Sequence, residues 1–128
     1  MSVPVALDRL KDEAQRFGSS PYLLTVSADG RAHAVSVSVS WNGDELVMAA
    51  GRRTVANATD RPLVSLLWPP YEAGGYSLIV DGEAHVSTGP DGAGIAVTPT
   101  TAVLHRSAAA LTGDGSAAGN DCIPLIAS

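Results

Sequence analysis

The sequence predicts a mainly β domain: six or so antiparallel strands in a closed or nearly closed barrel, with a short N-terminal helix and one short helix between strands. Three observations predict it. Hydrophobic residues make up 45% of the chain and aromatics only 5%, so valine, leucine and alanine must fill the core; a valine- and glycine-rich, lysine-poor composition leans to β. Two strong hairpin signals, Asp29-Gly30 and Asn42-Gly43, separate runs that alternate with a period of two. Strands of this length have edges to hide, which favours closure, with an open sandwich as the other arrangement they allow.

The chain, 128 residues long, suffices for one domain with a real core, and its composition assigns residues 1–106 to that domain and 107–128 to an Ala/Gly-rich tail. Residues 4–17 read as an amphipathic helix. Pro4 suits the first helical position, Leu7, Leu10, Ala14 and Phe17 recur at three- and four-residue steps, and Gly18 ends it. Asp12 stands four residues before Arg16, the favoured order for a helical ion pair. After Pro21, strands over 22–27, 32–41 and 45–50 form a meander through two-residue turns. Residues 54–60 read as a short helix with Thr54 as N-cap, stopped by Pro62. The apolar run 63–68 predicts a strand buried on both faces. Residues 76–86 form a strand with a bulge at Gly82, or a further hairpin at Asp81-Gly82. A Gly/Pro-rich turn leads to strands at 95–97 and 101–106; the Ala/Gly/Ser stretch 107–121 reads as a mobile tail, and 122–126 is apolar again.

Several function classes fall away. A net charge of −5 argues against nucleic acid, which calls for a basic stripe. No apolar run approaches the roughly 18 residues of a membrane span, and the N-terminus lacks the order of a secretory signal. The single Cys122 cannot form an internal disulfide, so the expected location is the cytoplasm. His33, His85 and His105 stand on separate strands with no carboxylate or cysteine at ligand spacing, so no metal site is expected. There is no nucleophile elbow, P-loop, dinucleotide fingerprint or carboxylate pair, and no catalytic side chain is named. Any reaction must be carried by a bound cofactor.

Two features point to a ligand. In AVSVSVSW, Val35, Val37, Val39 and Trp41 share one strand face, while Ser36, Ser38 and Ser40 share the other. Small hydroxylated residues leave room for a flat ring and bond its edge, although a solvated strand face looks the same. Arg52 and Arg53 then follow a strand and precede a short helix. Residues 46–71 hold three arginines and one acid, Asp60, a local balance of about +2 in an acidic chain. Guanidinium forks and a helix N-terminus both suit phosphate, with Thr54 and Asn57 within reach; solvated arginines are the plainer alternative. His33, just ahead of the serines, is the histidine best placed to touch a ligand.

The order of parts in PYLLTVSADGRAHAVSVSVSWNGDELVMAAG, GRRTVANATDRPLVSLLW and YSLIVDGEAHV resembles the pyridoxamine 5′-phosphate oxidase-like, flavin-binding split-barrel superfamily, including its flavin and deazaflavin oxidoreductase branches, over residues 4–106. The resemblance implies a six-stranded split barrel that dimerises, with two cofactor sites at the subunit interface. It implies FMN, or alternatively the deazaflavin coenzyme F-420, with haem less favoured. The phosphate would sit at Arg52, Arg53 and Thr54 with Asn57 nearby, and the ring along Ser36, Val37 and Ser38, with contributions from residues 66–68 including Trp68. The implied activity is hydride transfer to or from a small conjugated substrate; a non-catalytic flavin- or haem-sequestering barrel is the alternative. Pyridoxamine oxidases proper carry a longer C-terminal segment that binds the vitamin phosphate. This chain has an Ala/Gly-rich tail instead, which speaks against vitamin B6 oxidation, and its single lysine, Lys11, leaves Arg52, Arg53 and Arg61 as the few cations that could hold a polyglutamylated deazaflavin tail.

Overall fold

The period-two runs fold into one antiparallel sheet that curls on itself. A computed structural model describes residues 1–89 and 92–107. These residues form β1 (Ser2–Pro4), α1 (Leu7–Phe17), β2 (Tyr22–Val26), β3 (Ala32–Ser36), β4 (Ser40–Asn42), β5 (Glu45–Ala49), α2 (Arg52–Asp60), β6 (Leu63–Trp68), β7 (Ser77–Gly89) and β8 (Gly92–His105). The hydrogen-bonded order is β3-β2-β6-β7-β8-β5-β4, with β1 also paired to β8. The long β8 makes room for two partners on one side: β5 takes Gly94–Val97, and β1 takes Val103–His105.

β3 and β4 are the two ends of this order, yet only residues 37–39 separate them. The expected single strand over 32–41 is therefore two strands, on opposite edges. Between them the chain leaves the ladder, and the Val37 and Val39 amides donate instead to the carbonyls of Pro21 and Ser19, at 3.0 and 2.9 Å. The sheet is bridged there but not closed, and the architecture is a split barrel.

One face of every long strand fills the interior. Leu23, Leu46, Leu66, Leu78, Val80, Ile95 and Val97 are fully buried, and Leu10 and Ala14 of α1 cover them. Removing a leucine such as Leu66 from a core of this kind costs about 2–5 kcal/mol. Trp68, 1% exposed, is the largest core side chain, and its indole N–H donates to the Gly18 carbonyl at 2.8 Å. That bond ties β6 to the end of α1 and satisfies the one polar atom of the ring.

Several boundaries differ from expectation. α1 begins at Leu7, because Pro4 ends the edge strand β1, where a missing N–H is tolerated. Arg16 pairs with Glu13 at 3.8 Å, not with Asp12. The first hairpin has a three-residue loop with Ser27 bonded to Arg31, and only Gly30 has positive φ. In the second the two-residue loop is Gly43-Asp44, since Asn42 pairs with Glu45. α2 starts at Arg52 with Gly51 as N-cap, so Thr54 lies inside the helix. β6 buries one face only, and its Leu63 is 73% exposed. The strands expected at 95–97 and 101–106 are one, β8, interrupted at its middle. There Gly82 pairs with Pro99 and Asp81 with Thr101, leaving Thr100 as the extra residue of a bulge. Proline, which cannot donate to a ladder, is accommodated at such a site. Residues 108–128, with Cys122 and the apolar 122–126, lie outside the described residues.

Candidate functional site

α2 begins in an unusual way for a helix. Gly51 provides no side-chain cap, Val55 makes the first intrahelical bond to the Gly51 carbonyl at 3.0 Å, and the first turn contains no acid. The amides of Arg52, Arg53 and Thr54 therefore lack intrahelical acceptors. Two exposed arginines stand where the helix dipole disfavours positive charge.

The opposite face of α2 is fixed to the β2–β3 hairpin by polar contacts. The Asn57 side-chain amide donates to the Thr25 hydroxyl at 3.1 Å; the residues are 5% and 1% exposed. Thr54 Oγ1 lies 3.5 Å from His33 Nε2, and His33 is the cross-strand neighbour of Thr25. Just past the helix, Arg61 Nε donates to the Val26 carbonyl at 2.7 Å. At the hairpin tip, the Asp29 carboxyl is held below the usual carboxylate range, first by the Ser27 hydroxyl and then by the Arg31 amide, with the Arg53 charge acting in the same direction.

The serine alternation survives the break in pairing. Val37 is 8% exposed and packs in the core, whereas Ser36, Ser38 and Ser40 are exposed. Ser36 pairs with Tyr22, Tyr22 with Leu67, and Leu67 with Ile79, so these four share the outer face of the sheet. That face is apolar beside the serines: Tyr22 is 44%, Val26 39% and Leu63 73% exposed.

The sequence-predicted residues thus divide. Ser36, Ser38, Arg52 and Arg53 are exposed. Thr54 and Asn57 are buried under α2, and the side chains of Val37 and Trp68 lie in the core, leaving a ligand only their backbone. Sequence reasoning missed Thr25 as the partner of Asn57; two polar residues 32 apart carry no local signal of their contact. A cleft of about 630 Å³ lies elsewhere, between α1 and the β4–β5 turn, and includes Asp8, Lys11, Trp41 and Asp44. Among the described residues, no group of three His, Cys, Asp or Glu is placed to hold a metal, and no helix is long and apolar enough to cross a membrane.

No family model matches the chain. Uncharacterized proteins of Mycobacterium bovis and Mycobacterium tuberculosis are each 43% identical over 101 residues, covering 69% of this chain and 71% of theirs. Among solved structures, a Listeria innocua protein provisionally named a pyridoxamine 5′-phosphate oxidase superposes with a TM-score of 0.64 at 16% identity, over 77% of this chain and 99% of its own. The chain belongs to the family of these mycobacterial proteins, and its fold is that of the pyridoxamine 5′-phosphate oxidase-like split-barrel superfamily. Two further split barrels are similar. An FAD-binding protein of Mycobacterium smegmatis matches with a TM-score of 0.62 at 17% identity, over 83% of this chain and 100% of its own. An F420 reductase matches with a TM-score of 0.57 at 20% identity, over 66% and 88%. In this split barrel the edge strand β3 ends at Ser36, Ser38 lies in the link to β4, Ser40 opens β4, and α2 carries Arg52 and Arg53.

Proposed function

We propose that this split barrel binds a flavin-type cofactor, FMN or the deazaflavin coenzyme F-420, as a homodimer, and acts as an oxidoreductase on a small conjugated substrate. One observation carries the reading: α2 opens on Arg52-Arg53 with free amides, no cap and no acid. The donor set fits a phosphate ester, with two planar guanidinium forks and three N–H groups aimed along the helix axis. The exposed Ser36 and Ser38 hydroxyls, with the unpaired edge of β3, suit the polar rim of a flat ring. The names of the M. smegmatis FAD-binding protein and the F420 reductase support the same class of cofactor.

The cofactor supplies hydride transfer when bound. The chain's own part is to hold the phosphate, orient the ring and exclude water from one ring face. A second copy on the apolar outer face beside the serines would complete that exclusion, and Tyr22, Val26 and Leu63 favour it.

Absorbance of the purified protein tests the class of cofactor: flavin bands, deazaflavin bands and a Soret band each give a different answer. Titration with FMN tests the site. Arg53→Ala is expected to weaken FMN binding about tenfold or more, the scale of a lost charge-assisted hydrogen bond. Arg31→Ala, whose exposed pair with Asp29 spans 3.6 Å, is expected to stay within about twofold. Equal, negligible losses would put the phosphate elsewhere.

A further inference from the structure

Just past the end of β8 stands a half-buried charged residue, Arg106, that the proposed cofactor site does not use. Ser77 pairs with His105, and continuing that antiparallel register by one step sets Tyr76 opposite Arg106. On its other side the Arg106 backbone is clamped by Met1, whose carbonyl accepts the Arg106 amide at 3.0 Å and whose ammonium donates to the Arg106 carbonyl at 3.1 Å. The guanidinium lies over the Tyr76 ring, with Cζ 4.5 Å from the ring centroid. The five N–H groups of a guanidinium lie in its plane, so contact through its face leaves them for an acceptor. Nε is buried without a hydrogen-bond partner, and no ion pair joins Arg106 to a carboxylate among the described residues. A desolvated donor of this kind carries a cost that an acceptor in the same plane would remove.

The surroundings describe that acceptor. Arg106 lines a pocket of about 260 Å³ between the end of α1 and the loop that joins β6 to β7. In that loop the Gly75 amide donates to the Glu72 carbonyl at 3.0 Å, a tight turn with Gly74 at φ 74°. Just ahead of the turn, Tyr71 meets Phe17 of α1 edge to face, with ring centroids 5.1 Å apart. Phe17, Tyr71, Tyr76 and Leu104 thus give the pocket apolar, mostly aromatic walls. We infer that this pocket binds a small aromatic monocarboxylate, whose carboxylate takes the in-plane N–H groups of Arg106 and whose ring lies among the aromatic walls. The charge of the lining selects a monoanion. Arg16 and Arg106 are matched by Glu13 and Glu72, and Arg16 is already 3.8 Å from Glu13, so the second charge of a phosphate ester would meet carboxylates instead of a cation. None of the lining residues belongs to the serine and arginine set proposed for the flavin, so this inference stands apart from that reading.

The test is a backbone-amide NMR titration of the full chain with benzoate, with benzamide as its uncharged counterpart and phenyl phosphate as the dianion. Benzoate is expected to shift the Gly75, Tyr76 and Arg106 amides saturably, with a Kd of about 1 mM, the scale for so small a ligand. Benzamide and phenyl phosphate are each expected to bind about tenfold more weakly, the first for want of a charge-assisted pair. Arg106→Met keeps an unbranched chain against Tyr76 and removes the guanidinium. It is expected to lower benzoate affinity about tenfold and to erase the preference over benzamide. Tyr71→Ala, at a position 61% exposed, removes one wall and is expected to weaken benzoate and benzamide alike. Benzoate shifts that do not saturate or that fall on other residues, benzamide binding as tightly as benzoate, or an Arg106→Met protein that keeps the preference would each overturn the site. If Arg106→Met does not fold, the wild-type comparison of the three probes and the Tyr71→Ala titration decide it.

Discussion

Asn57 and Arg53 lie in one helix four residues apart, yet the fold uses them oppositely: one closes the interface with the sheet, the other faces water. Asn57→Ala leaves the Thr25 hydroxyl buried without its partner, which costs about 1–3 kcal/mol. Urea denaturation is expected to show that loss, while Asn57→Asp, which removes the amide donor, is expected to be no better. An unchanged midpoint would mean that water replaces the amide. The same pair shows how far the site could be read from sequence. The arginines are legible because charge stands out in an acidic chain, and the serines because a period of two needs no tertiary information. The direction of Thr54 and Asn57 is not legible, since it depends on where the helix begins and which face meets β2. With Gly51 as N-cap, Thr54 moves from the helix cap to its packed face. Trp68 follows the same logic: an aromatic at a strand end reads equally as ligand platform or core, and only the Gly18 carbonyl 50 residues away decides for core.

The β7–β8 hairpin organises the sheet, and its bulge shows what the elements demand of single positions. A Cβ on Gly82 would lie 2.6 Å from both the Thr98 carbonyl oxygen and Val97 Cγ1. Gly82→Ala is therefore expected to destabilise by about 1–3 kcal/mol, measured as a lower denaturation midpoint; a neutral result would require the β8 backbone to move freely at the bulge. The bulge itself was legible, because a glycine inside an apolar alternation marks one, whereas the continuity of β8 was masked by Pro99. Across the same hairpin, His85 Nε2 lies 2.8 Å from Glu45 Oε2, to which Thr98 also donates at 3.0 Å. The Glu45 bond raises the His85 pKa, and the bonds from His85 and then Thr98 lower that of Glu45. The histidine's stabilisation is fully present below its ordinary 6.5 and lost as pH rises through the raised value; the glutamate's is present above its ordinary 4.5 and lost as pH falls through the lowered one. Both act together between pH 4.5 and 6.5. His85→Gln is expected to lower the Tm slightly at pH 5.5 and not at pH 9, the effect being small because the pair is exposed. A Tm difference that does not change with pH would remove the ionic contribution.

Taken whole, the barrel has two unfinished boundaries: the gap between β3 and β4, and the apolar outer face of β2, β6 and β7. The curl of the sheet depends on long-range pairing and on the three residues that join its edges, which is why composition and turns predicted a nearly closed barrel but not where it splits. The outer face is the more telling boundary. Tyr22, Val26 and Leu63 are exposed, with Leu24, Leu67 and Ile79 half-buried among them, and each square ångström of apolar surface removed from water contributes about 25 cal/mol. The serine row borders this face through the Ser36–Tyr22 pair, so a second copy seated there would both cover the apolar residues and roof a ring lying on the serines. The proposed dimer therefore makes assembly and cofactor affinity depend on one surface. Sedimentation equilibrium is expected to give a two-chain mass for wild type. Leu63→Asp, at a position 73% exposed in the single chain, is expected to shift the mass toward one chain without altering the circular dichroism of the fold, and to weaken FMN binding with it. Arg53→Ala is expected to weaken FMN binding while leaving the mass at two chains. A Leu63→Asp protein that remains dimeric would place the interface on another surface, and a monomeric variant with undiminished FMN affinity would separate the cofactor site from the dimer altogether.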